Sequence, residues 1–155
     1  MGRGKHLTID EWFYHWFADE EKLKLVSRLF IQMFEVCDKI VIKRDNRHAH
    51  KFYELVDDSS MYPPKQRQAV KTIVRLFITN SNKVHWVDEV PHISDEIEAL
   101  LPRKDVYLVQ ICLASADKIF VTSDTTLYQN LIDTFAQLNI QVYMVEDFIN
   151  RYPEI

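Results

Sequence analysis

Short β-branched segments alternate with longer amphipathic ones along almost the whole chain, and this alternation restricts the fold more than any other feature of the sequence. The segments 6–9 (HLTI), 39–43 (KIVIK), 84–87 (VHWV), 118–122 (KIFVT) and 140–145 read as strands, being short, β-branched and bounded by polar residues. Between them, apolar residues recur at helical spacing. Residues 11–17 read as one or two helical turns. The stretch 20–38 is a helix carrying Leu23, Val26, Leu29, Phe30, Met33 and Phe34. Residues 46–56 form a polar helix with Asp45 as N-cap, and 57–64 (DDSSMYPP) a loop. A helix over 65–79 places Ala69, Ile73, Leu76 and Phe77 on one face. Further helices run from Ser94 to near Pro102, then over 105–116, 125–138 and 146–152. Strands alternating with helices predict an α/β fold, a three-layer α/β/α sandwich with a mostly parallel central sheet, in one domain over 1–155.

Composition narrows the function classes. Nearly half of the 155 residues are hydrophobic and 12% are aromatic, enough to build a core without disulfides or a structural metal. Cys37 and Cys112 fall within apolar helical patterns and read as core thiols of a reducing compartment. The only glycines are Gly2 and Gly4, so every glycine-rich phosphate cradle is excluded. The formal charge of −4 argues against a nonspecific nucleic-acid coat but not against a nuclease, whose site concentrates carboxylates. No apolar run is long enough to span a bilayer, and the start lacks the apolar core of a signal peptide. Its Met-Gly carries only a weak lipidation signal. A soluble, cytoplasmic protein with no membrane partner is expected. The six histidines form no zinc pattern, since His48 and His50 point apart on a helix.

In open parallel sheets ligands bind beyond the strand C-terminal ends. Asp10 follows the first strand, Ser123-Asp124 follows KIFVT, and Asp105 opens the helix feeding that strand. Each alone suits a helix N-cap. Together they form a converging set of carboxylates, whose mutual repulsion a Mg²⁺ or Mn²⁺ ion would relieve.

The segment 105–124, DVYLVQICLASADKIFVTSD, resembles the second half of a PIN domain: an aspartate opening an alanine-bearing apolar helix, then a short strand ending in Thr-x-Asp. Leu127, Gln141-Val142-Tyr143 and Val145-Glu146-Asp147-Phe148-Ile149 continue the pattern, and Leu7-Thr8-Ile9-Asp10 resembles the opening strand of that family. The resemblance implies a metal-dependent endoribonuclease acting on single-stranded RNA, of the kind found as toxins of toxin–antitoxin pairs. It implies an antitoxin partner and a homodimer face. Asp10, Asp105 and Asp124 would hold Mg²⁺ or Mn²⁺, and Thr122 would orient them, with Ser123 a lesser candidate. A further acid is expected near 48–50, where this chain has His48 and His50; Glu54 or Asp45 is left to fill that role. The bulky Trp12-Phe13-Tyr14 also departs from the pattern. Without that acid, the alternative is a degenerate PIN-like domain that binds RNA or protein without cleaving.

Two basic groups suit a phosphate backbone. Arg44, Arg47 and Lys51, with Lys43, follow the second strand, and Arg67, Lys71 and Arg75 recur at i, i+4 and i+8 along one helix stripe. A solvated helix face is the plainer reading of the second group.

Overall fold

The computed structural model describes residues 3–155; the Met1-Gly2 start lies outside them. Five strands form one sheet: β1 (His6–Ile9), β2 (Lys39–Lys43), β3 (Val84–Val87), β4 (Ile119–Thr122) and β5 (Gln141–Met144). All neighbouring pairs are parallel, in the order β3-β2-β1-β4-β5. Among the described residues seven helices connect the strands, α1 (Trp12–Trp16), α2 (Glu20–Glu35), α3 (Arg47–Asp57), α4 (Pro64–Ile78), α5 (Asp95–Glu98), α6 (Val106–Ala114) and α7 (Thr125–Gln137), and α8 (Val145–Arg151) follows the last strand.

Strand pleating divides the core in two. Leu7, Ile9, Ile40, Ile42, Ile119 and Val121 point to one face, where α1–α4 and α8 cover them. Val41, Val87 and Phe120 point to the other, against α6 and α7. Cover on both sides explains why β2 and β4 bury successive residues rather than alternate ones. α6 is apolar all round for a related reason: it crosses the centre of the sheet and packs against β1, β2 and β4.

The sequence places the strands closely and the helix ends less well. α2 ends at Glu35, because Val36 turns extended and the buried Lys83 ammonium bonds the Met33 and Val36 carbonyls. Cys37 is therefore exposed beyond the helix, correcting its reading as a core thiol, while Cys112 is buried; both are free. Asp45 is not a cap: its φ of 57° puts it outside α3, and Asn46 accepts from the Ala49 amide instead. Nor is α3 polar throughout, since it buries His48, Ala49, Phe52 and Leu55. The inner face of α4 is rotated from the expected one: Gln66, Val70, Val74, Phe77 and Ile78 are buried, whereas Leu76 is 49% exposed. Among the described residues no helix is long and apolar enough to cross a membrane. Gly4 passes so close to β2's approach that a Cβ there would lie 1.9 Å from the Cys37 carbonyl oxygen.

This order moves outward from β1 in one direction through β2 and β3, then jumps back to β4 and β5. The first crossovers lie on one face and the later ones on the other, so the chain leaves β1 and β4 in opposite directions. A crevice opens at their C-terminal ends. Crossover helices run antiparallel to the strands, which brings the N-termini of α6 and α7 to the same edge.

Candidate functional site

At the crevice, the Asp10 amide still donates to the Val121 carbonyl at 3.3 Å, and the Trp12 indole N–H to the same oxygen at 3.1 Å, locking the end of β1 onto β4. The Asp10 side chain is held at both oxygens. Oδ1 accepts from the Trp12 amide at 2.9 Å and Oδ2 from the Thr122 hydroxyl at 2.5 Å. Thr122 Oγ1 also accepts from the Asp124 amide at 3.0 Å. One hydroxyl thus ties Asp10 to the turn that carries Asp124. Asp124 caps α7, its Oδ1 accepting from the Leu127 amide at 2.9 Å. Ser123 is exposed between them and makes no side-chain hydrogen bond to these acids.

Asp105 behaves differently. It occupies the cap position of α6, yet its side chain makes no cap hydrogen bond, so the capping reading does not hold here. Its Oδ2 is buried and has no hydrogen-bond partner. An unmatched buried carboxylate oxygen costs on the order of 1–3 kcal/mol.

The carboxylates at the crevice repel one another. Burial pushes the Asp10 carboxyl up to about 6; hydrogen bonds from Thr122 and the Trp12 amide oppose the rise, and the Asp105 and Asp124 carboxylates add to it. Burial also raises Asp105, opposed by Lys104, reinforced by Asp124 and Glu11, and opposed again by Arg47. Asp10 therefore feels both Asp105 and Asp124, and Asp105 feels Asp124.

Glu11 is the acid that sequence reasoning left unassigned. It forms an ion pair with Arg47 at 2.9 Å and accepts from the Tyr107 hydroxyl at 3.2 Å, while the Arg47 guanidinium lies 5.6 Å from the Tyr107 ring centre. Its only signal in the sequence was adjacency to Asp10 at a strand end. Glu54 is not brought to the aspartates. It lines a groove of about 390 Å³ beside them, together with Glu11, Tyr14, His15, Arg47, His50 and Lys51, and pairs with Lys51 at 3.8 Å. Where the missing acid was sought, His48 is fully buried among Phe13, Tyr14 and Phe52, and burial lowers its pKa to about 3, so it is a neutral core residue.

The donor set at the crevice is carboxylate oxygen, which suits a hard divalent cation, and the unpartnered Asp105 Oδ2 and the raised Asp10 both fit one. Against this, no group of three or more His, Cys, Asp or Glu side chains among the described residues is arranged to hold an ion. Asp10 and Asp124 are turned to protein donors.

The basic residues divide. Arg44 pairs with Asp88 at 3.0 Å, and Arg47 and Lys51 line the groove. Arg67 donates to the Tyr62 and Ser60 carbonyls at 2.8 and 3.1 Å, clipping the loop before α4. Arg67 and Lys71 have Asp58 as a charge neighbour rather than the crevice acids, and Arg75 is exposed further along α4. Comparison with protein-family models returns no matching family, and neither curated proteins nor solved structures give a match.

Proposed function

We propose that this chain is a Mg²⁺- or Mn²⁺-dependent endoribonuclease of the PIN type acting on single-stranded RNA. What supports this reading is the buried, unpartnered oxygen of Asp105 beside the raised Asp10 carboxyl, which Asp105 and Asp124 both push up. These three aspartates would hold the metal once Asp10 and Asp124 turned to it from their present protein donors. When bound it would supply Lewis-acid stabilisation of charge on the phosphodiester and a water acidic enough to attack phosphorus. Thr122 holds the Asp10 carboxylate at the crevice through its hydroxyl. Arg47 and Lys51, beside Glu11 in the adjoining groove, neutralise backbone phosphate. A toxin role with an antitoxin partner, and a homodimer, belong to the same proposal.

One observation favours a second reading, a PIN-like domain that binds RNA or protein without cutting: Asp10 and Asp124 already serve as protein hydrogen-bond acceptors, and Glu54 stands apart. Incubating the protein with a single-stranded oligoribonucleotide and Mn²⁺ separates them. Cleavage by the wild type that is lost in Asp105→Asn and Asp124→Asn, both still folded, supports the enzyme. Metal-dependent cleavage surviving both changes rules out this site. No cleavage together with RNA binding leaves the second reading.

A further inference from the structure

At the same sheet edge, two strands away from the carboxylates, three side chains stand together that the chemistry above does not use. Trp86 lies in β3, Tyr53 on α3, and Arg44 directly after β2. The Tyr53 and Trp86 rings are parallel within 7°, with centroids 6.0 Å apart. The Arg44 guanidinium sits 5.2 Å from the Trp86 ring centre. Trp86 packs partly against the core, which explains its position, but Tyr53 belongs to no core cluster and is 51% exposed. Held parallel to Trp86 and left half in water, the Tyr53 ring keeps free aromatic surface. It is well suited to receive a third planar group.

The surroundings indicate which one. Ile42 pairs with Trp86, and Leu7 with Ile40, so β1, β2 and β3 end in step. Strand spacing then puts the aromatic pair about 10 Å across the sheet edge from the end of β1. Along α3, Arg47, His50 and Tyr53 follow at intervals of three residues and share one stripe, with Lys51 beside them. That stripe leads from the groove at Glu11 to the ring pair, and its cations, Arg47 and Lys51, pair with Glu11 and Glu54 at 2.9 and 3.8 Å, contacts that a phosphate backbone would replace. The planar face of a paired base is already covered by its neighbours in a duplex, whereas an unpaired base offers its face to an aromatic or guanidinium plane.

We infer that Tyr53, Trp86 and Arg44 form a stacking platform for an unpaired base of a single-stranded RNA whose backbone crosses the Arg47–His50–Lys51 face of α3. This rests on the nuclease or RNA-binding reading and supplies its preference for unpaired substrate. The test is binding of a short labelled single-stranded oligoribonucleotide, and of the same oligomer carrying abasic sites, to the full chain by fluorescence anisotropy. Mn²⁺-dependent cleavage is followed in parallel. Tyr53→Ala is expected to weaken binding of the intact oligomer about tenfold, with Tyr53→Phe at the wild-type level, because stacking needs the ring and not the hydroxyl. The abasic oligomer should bind the wild type as weakly, with no further loss in Tyr53→Ala. Equal binding by wild type and Tyr53→Ala, or an equal loss on both oligomers, overturns the platform. If that happens while Asp105-dependent cleavage persists, only the platform falls; if the wild type neither binds nor cleaves RNA, the functional reading falls with it.

Discussion

Replacing Asp10 by Asn should stabilise the metal-free protein at neutral and alkaline pH. The carboxyl is raised from 3.8 to about 6, first by burial, so its ionisation opposes folding. A group raised in the folded state adds stability that is complete below its unfolded pKa and is lost as pH climbs through its folded one. Asp10 is thus harmless below about pH 4 and costs most above pH 6. A shift of roughly two pKa units corresponds to about 3 kcal/mol, and partial solvent access reduces this to about 1–2 kcal/mol. Asn keeps the shape, an acceptor for the Trp12 amide and a partner for the Thr122 hydroxyl. In chelator at pH 8, Asp10→Asn should therefore melt higher by about 2–8 °C, and the gap should close at pH 4. Adding Mn²⁺ should reverse the order at pH 8, since a ligand that binds only the folded wild type raises its stability alone. A variant less stable than wild type at pH 8, or a gap unchanged between pH 4 and pH 8, would refute this electrostatic reasoning.

Other substitutions probe the surroundings of the site. His48 has its folded pKa lowered to about 3 by burial, so the unfolded chain takes up the proton first as pH falls below 6.5, and stability drops by about 1.4 kcal/mol per unit over that window; in His48→Leu, denaturant titrations between pH 6.5 and pH 4 should show that slope reduced by up to one proton. Lys83→Met leaves the Met33 and Val36 carbonyls without their ammonium donor and should cost on the order of 1–3 kcal/mol in the same measurement. Tyr152→Phe removes the hydroxyl that donates to the buried Asp38 at 2.6 Å and should cost about 1–3 kcal/mol, while RNA cleavage at saturating substrate stays at the wild-type rate.

The fold class was legible because each strand announces itself locally. KIVIK and VHWV are short β-branched runs with polar flanks, and their bounds agree with β2 and β3. Helix ends depend on partners that local sequence does not name. α2 stops where Lys83, far along the chain, reaches its carbonyls, and Asp45 loses the cap to Asn46 because the turn after β2 needs a positive φ. The candidate site was legible to the extent that acids follow strands. Asp10 and Asp124 could be placed from position, since topology alone decides which strand ends meet, whereas Thr122 entered only through the family resemblance. Glu11 could not, because Arg47 and Tyr107, which hold it, come from α3 and α6 and meet it only in the folded chain. Nor could the free oxygen of Asp105 be foreseen: an aspartate opening a helix reads as a cap until its side chain is seen not to bond there.

Manganese titration followed by electron paramagnetic resonance reads the crevice directly, without requiring catalysis. The expected result is saturable Mn²⁺ binding by the wild type, complete below millimolar metal, and its loss in folded Asp105→Asn. Binding that is undetectable at millimolar Mn²⁺, or that is unchanged in Asp105→Asn, would contradict the assignment of Asp10, Asp105 and Asp124 as a metal site.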